Sequence, residues 1–211
     1  MHLTSVIRRL FPPAETLDGY EHPELVDVIF QKTKSYQPTE AWQEMDGVSS
    51  VLDFGGGCGL HYKQANSSSI RWAVVETPAM VNRAKELSTD HLQFFNSISA
   101  AAAWLGTVET MFSNGALQCV PSPEETLTEL CGLNAETMLW QRTWLARDAT
   151  EKSMQKSYLN DNGPGKSRVK EKYVSYPCIK IPERIFLNAH SGYSLVDRGP
   201  DRFRFRLQSL I

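Results

Sequence analysis

The segment Val51-Leu-Asp-Phe-Gly-Gly-Gly-Cys-Gly-Leu60 sets four glycines into five positions behind an apolar run that ends in an aspartate. Glycine reaches positive φ and lets a ligand lie on backbone where any Cβ would collide. The spacing Asp53-x-Gly55-x-Gly57-x-Gly59 is not the dinucleotide fingerprint, whose third glycine would fall on Leu60 or Tyr62. Around this loop stand side chains suited to proton transfer or anion binding. His61 follows it, and a histidine titrates near neutrality, which suits a general base, although histidines at helix starts are also structural. Tyr62 either reaches the same crevice or packs. Arg142 closes a later apolar run and either pairs with an acidic neighbour or binds an anionic acceptor. Gln118 follows another such run and is the remaining acceptor-side candidate.

The elements that must position these groups recur in order. Five apolar, β-branched or aromatic runs end at Phe54, Glu76, Asn96, Ser113 and Arg142. Helical patterns lie between them. Ala79 to Leu87 places Met80, Ala84 and Leu87 on one face; Ser122, Pro123 and Glu125 read as a capping box ahead of Leu127, Leu130 and Cys131, with Gly132 as the stop. Strands alternating with helices argue for an α/β, doubly wound, Rossmann-like sheet of parallel strands. The tail differs: Tyr193 to Leu207 reads as two strands around Gly199-Pro200-Asp201, an antiparallel hairpin that closes a seven-stranded sheet. Residues 1–211 are expected to form one domain, with 1–46 a helical N-terminal extension containing a helix over Pro23 to Lys34. Residues 146–180 lose the pattern and are placed as an insertion or lid after the fifth strand.

Composition narrows the classes of function. With 211 residues, 22 Lys+Arg against 24 Asp+Glu and a formal charge of −2, no basic footprint for nucleic acid stands out. No run has the length of a membrane span or the form of a secretory signal, so a cytoplasmic location is expected. Leu3, Val6, Ile7, Leu10 and Phe11 with Arg8 and Arg9 read as a short basic amphipathic helix that packs on the domain or on a second subunit, or else touches a membrane surface. Cys58, Cys119, Cys131 and Cys178 lack metal or disulfide spacing and read as buried thiols, and no metal site is expected. Gly163 to Ser167 resembles the end of a P-loop, but its upstream glycine is Asn160; Tyr176 and Lys180 have dehydrogenase spacing, but Pro177 opposes the helix they would need.

Taken with the strand ends, the glycine motif resembles that of class I S-adenosylmethionine-dependent methyltransferases. The likeness covers Val51 to Trp144. More narrowly, "DFGGGCGLHY", "VVETP", "SNGALQ", "QRTWL" and "PERIFLNAHSGYSLVDRG" look like a group of uncharacterised bacterial methyltransferases, some encoded near surface-polysaccharide genes. The resemblance implies S-adenosylmethionine as cofactor. It implies Asp53 near the ammonium, Phe54, Gly55, Gly57 and Gly59 against the methionine end, and Glu76 and Thr77 at the ribose hydroxyls. Asn96 and Ser97 fall at the adenine edge with Pro78 and Met80 on its face, and Ser113 and Asn114 beside the transferred methyl. The implied reaction is methylation of a small-molecule acceptor, a sugar or glycan precursor being one class; a homo-oligomer is the one protein partner in view. A protein that keeps the fold without transferring a methyl is the alternative.

Overall fold

The computed structural model describes residues 15–40, 42–67, 69–165 and 172–208; the amphipathic segment expected at 3–11 lies outside them. Chain order is β1 (Glu15–Asp18), α1 (Pro23–Ser35), β2 (Ser50–Phe54), α2 (Leu60–Ala65), β3 (Arg71–Val75), α3 (Pro78–Ala84), β4 (Leu92–Phe95) and α4 (Ile98–Leu105). There follow β5 (Thr110–Asn114), α5 (Pro123–Cys131), β6 (Thr137–Gln141), β7 (Glu151–Tyr158), β8 (Lys172–Lys180), α6 (Glu183–Ala189), β9 (Tyr193–Arg198) and β10 (Phe203–Leu207).

The main sheet has seven strands in the order β4-β3-β2-β5-β6-β10-β9. Strands β2 to β6 pair in parallel, and β10 runs antiparallel to both β6 and β9. The fold is the doubly wound α/β architecture that the alternating runs imply. Burial explains why those runs are continuous: all five residues of β2 are buried, because helices cover both faces of the sheet. Leu52, Phe54, Ala73 and Val75 face one side, with Ala101 of α4, Leu127 of α5 and Phe186 of α6. Val51, Trp72, Val74 and Phe112 face the other, against Phe30 of α1, Ala65 of α2 and Met80 of α3. Period-two alternation in β10 buries Phe203 and Phe205 and turns Arg204 and Arg206 away from them. Arg204 is not merely solvated: its guanidinium pairs with Glu44.

Three local details depart from the pattern. Ser122 occupies the N-cap of α5, but its ψ of 73° falls short of the extended value of a capping residue, and its side chain makes no capping bond. Two of the four cysteines, Cys119 and Cys131, are only half-buried, and all four are free. Within 146–180, β7 and β8 pair antiparallel, and β1 joins β8 in parallel to make a second sheet of three strands. Leu17, Leu159, Val174 and Tyr176 of this layer bury Leu25 of α1. Lys32 of α1 gives its ammonium to the carbonyls of Asn160, Asn162 and Gly165 at 2.8–3.0 Å, so the turn beyond β7 is tied to the N-terminal helix. Among the described residues no helix is long and apolar enough to cross a membrane.

Candidate active site

The chain runs β2, β3, β4 outward to one edge, then crosses back to β5 and β6, so the order reverses between β2 and β5. Loops diverge at such a point and leave a crevice at the carboxyl ends of the strands. Here it is a cleft of about 920 Å³. The strand ends supply its floor, and Tyr20, Ile29 and Thr33 with Asp161, Asn162, Gly163 and Tyr176 supply the outer wall. A second hollow of about 760 Å³ lies at the amino ends of the same strands, around Val48, Glu109 and Glu136, away from the glycine loop.

The glycines have reasons of their own. Gly55 (φ 74°), Gly57 (φ 59°) and Gly59 (φ 84°) all adopt left-handed backbone. A Cβ on Gly55 would stand 2.1 Å from that of Ala116, and one on Gly56 2.3 Å from Oδ2 of Asp53. Much of the bare backbone therefore serves the protein's own packing. Gly57 differs, since its Cβ would make only an ordinary 3.5 Å contact with Ile29, and its backbone lines the cleft.

Glu76, at the end of β3, is half-buried on the cleft lining. Oε1 accepts from the Gly57 N–H at 3.1 Å and Oε2 from the Thr77 N–H at 2.8 Å. Burial pushes its pKa above the ordinary carboxylate value; the two amides oppose that shift, and Asp53 adds to it. The Asn96 amide donates to the Glu76 carbonyl at 3.2 Å and holds the ends of β3 and β4 together. Ser97 lines the cleft and also caps α4, accepting from the Ala100 N–H at 3.2 Å.

On the other side of the loop, four side chains form one hydrogen-bonded chain. Nδ1 of His61 lies 3.0 Å from Oδ2 of Asp53, and Nε2 lies 3.3 Å from Nδ2 of Asn114. Oδ1 of Asn114 accepts from Nε of Arg142 at 2.6 Å. Arginine can only donate and a carboxylate can only accept, so the polarity of the whole chain is fixed from its two ends. His61 carries its hydrogen on Nδ1 and presents a lone pair at Nε2. Phe112 meets the imidazole edge-on at a centroid distance of 4.8 Å, and the Trp72 indole N–H also donates to Asp53, at 3.1 Å.

Twelve of the residues singled out from sequence line this cleft: Phe54, Gly55, Gly57, His61, Glu76, Thr77, Pro78, Met80, Asn96, Ser97, Asn114 and Arg142. Five do not. Asp53 is fully buried behind the loop with its oxygens on His61 and Trp72, and Gly59 is turned against Leu92 and Phe94. Ser113 is fully buried within β5. Tyr62, one residue on from His61 in α2, is rotated away and packs edge-on against Trp72. Gln118 is 4% exposed and gives its amide to the Arg142 carbonyl at 2.9 Å. The residues of the outer wall were not named from sequence, although the lid alternative for 146–180 covers part of it; they come from β8, the turn after β7 and the N-terminal segment, which share no local pattern with the glycine loop.

No protein-family model matches the sequence, and no curated protein matches it. Solved structures do. The CcbJ methyltransferase of Streptomyces caelestis aligns over 88% of this chain and 90% of its own, at 12% identity with a TM-score of 0.52. The sugar N-methyltransferase KedS8 of a Streptoalloteichus species aligns over 99% and 94%, at 12% identity with a TM-score of 0.51. The chain has a methyltransferase fold. At such identity the likeness extends to the backbone framework, so this methyltransferase fold is common ground while the roles of individual side chains rest on the geometry above.

Proposed function

We propose that the chain is an S-adenosylmethionine-dependent methyltransferase acting on a small molecule, with a sugar or glycan precursor as the favoured acceptor class. The observation that carries this reading is Glu76, held at the switch-point crevice against the glycine loop. A carboxylate offers about four acceptor sites and only two are engaged, which leaves one on each oxygen for a pair of vicinal hydroxyls. The residues fit the cofactor in a second respect: the Thr77 hydroxyl is buried with no hydrogen-bond partner among the described residues. Glu76 and Thr77 would hold the ribose and Asn96 and Ser97 the adenine edge; the Gly55 and Gly57 N–H groups, expected on the methionine carboxylate, are instead given to the Val75 carbonyl and to Glu76 Oε1, so these glycines would admit the methionine end by their bare backbone. When bound, the cofactor supplies an electrophilic methyl group on a sulfonium.

The chain's own part is orientation, exclusion of water and management of one proton. His61 takes the acceptor proton on Nε2 as the acceptor's bond to the methyl carbon forms, the acceptor's own O–H or N–H first displacing the Asn114 amide from that lone pair, and Asp53 keeps Nδ1 protonated and stabilises the imidazolium. Asp53 thus acts through His61. In this reading the chain is one domain, and Tyr20, Ile29 and Thr33 with Asp161, Asn162, Gly163 and Tyr176 wall the cleft from outside. The sugar class draws support from KedS8, described as a sugar N-methyltransferase.

The test is transfer of labelled methyl from S-adenosylmethionine to the low-mass fraction of an extract from the source cell. Label in a small molecule, lost in Glu76→Ala, is the expected result. Tight binding of S-adenosylhomocysteine with no transfer to any fraction would put the non-catalytic reading in its place.

A further inference from the structure

We propose that the acceptor carries an anionic group, a carboxylate or phosphate, and that Arg142 grips it end-on beside His61. This rests on the methyl-transfer reading above. Arg142 follows β6 directly and has φ 47°. Among the described residues the other two non-glycine residues at positive φ are Asn66 and Asn134, a residue type that tolerates this region, whereas an arginine is strained there. The strain is held in place: buried Gln118 bonds the Arg142 carbonyl at 2.9 Å. Beneath it the left-handed Gly115 makes room, since a Cβ at that position would lie 3.2 Å from Nη2 of Arg142.

The guanidinium so placed is only half used. Its Nε and Nη2 edge meets Asn114, at Oδ1 (2.6 Å) and at the carbonyl (3.4 Å), both neutral acceptors. Among the described residues no carboxylate lies within ion-pair distance of it. The outer Nη1 and Nη2 edge remains, a fork that matches two oxygens of a carboxylate or phosphate. Glu76, Glu129 and Asp161 also line the cleft, and among its described lining residues Arg142 is the only arginine or lysine. An anion in this cleft therefore meets one arginine or lysine among its described lining residues. Asn114 spans from Arg142 to Nε2 of His61, so this anion seat and the base are joined through the Asn114 amide and the guanidinium. The reacting hydroxyl or amine and the anionic group are then close neighbours on the acceptor, as in a uronate or a sugar phosphate.

The experiment divides the low-mass extract on an anion exchanger and offers the retained and unretained fractions separately, with labelled S-adenosylmethionine, to the wild-type chain, Arg142→Gln and Arg142→Lys. The expected result is label accepted from the retained fraction, cut at least tenfold in R142Q and partly restored in R142K. The affinity for S-adenosylhomocysteine should stay within about twofold in both variants. Label taken from the unretained fraction would overturn the proposal. So would a tenfold loss of S-adenosylhomocysteine affinity in R142Q, which would assign Arg142 to the cofactor's own carboxylate. Transfer from neither fraction would defeat the methyl-transfer reading, and this inference with it.

Discussion

Asp53 and His61 are joined by a 3.0 Å contact between a fully buried carboxylate and an imidazole whose side chain is 12% exposed. The pair links the last turn of β2 to the first turn of α2 across the glycine loop, so one interaction both braces the loop and sets the tautomer facing the cleft. A positioned base typically contributes a factor of about 10²–10⁴ to a proton-transfer step. His61→Asn should lower the rate of methyl transfer within that range and leave S-adenosylhomocysteine binding within about threefold. Asp53→Asn, which removes the charge opposite the imidazolium and leaves one acceptor oxygen for both His61 and Trp72, should lower transfer comparably. Weakening of cofactor binding in D53N by about tenfold or more would return Asp53 to the ammonium-binding role that the glycine motif suggests.

Gly55 is held by two independent constraints, a φ of 74° and a Cβ position 2.1 Å from the Cβ of Ala116. Left-handed backbone costs an L-residue about 1–2 kcal/mol, and overpacking a further 1–3 kcal/mol. Gly55→Ala should therefore destabilise the chain by about 2–5 kcal/mol, read by urea unfolding. The double variant Gly55→Ala, Ala116→Gly relieves the collision but not the φ, so it should recover only part of the loss. Full recovery would mean that the backbone conformation itself costs nothing here.

His190 gives a pH signature away from the cleft. It is 2% exposed, stacked on Phe205 at a centroid distance of 3.9 Å; Nδ1 donates to the Phe186 carbonyl and Nε2 accepts from the Trp140 indole. Burial lowers its pKa from 6.5 to about 4. Between those values the unfolded chain binds a proton that the folded chain refuses, so stability falls as the pH is lowered through the window. At about 1.4 kcal/mol per unit, the loss by pH 5 is about 2 kcal/mol relative to neutral pH. Urea melts at pH 7 and pH 5 should show it in the wild type, and His190→Gln should lose less over the same interval. Equal losses in the two proteins would exclude His190 as the source.

The legible parts of the sequence were those where burial and periodicity act together. Strands β2 to β6 announce themselves because both faces are covered, and β10 because Phe203 and Phe205 alternate with arginines. Strand β7 was hidden for the opposite reason: its Glu151, Lys152, Ser153 and Met154 are all exposed, and it is held by backbone pairing to β8, which leaves no hydrophobic trace. The floor of the cleft was readable at Gly57 and Glu76, which sit at the ends of recognisable strands. Its outer wall was not, since the position of Tyr176 depends on a pairing between β1 and β8 more than 150 residues apart in sequence, as Thr16↔Tyr173 shows. Tyr62 and His61 are adjacent in sequence, and only the helical rotation of about 100° per residue separates them.

The central claim is that Glu76 and the glycine loop hold the cofactor, and calorimetric titration with S-adenosylhomocysteine tests it most directly. The account predicts micromolar binding to the wild type, weaker by at least about tenfold in Glu76→Ala. Because burial raises the pKa of Glu76 in the free chain, wild-type affinity should also decline on acidification, starting above pH 4.5, as the acceptor oxygens become protonated. Equal affinity in the wild type and Glu76→Ala, or no binding to the folded wild type, would contradict the account.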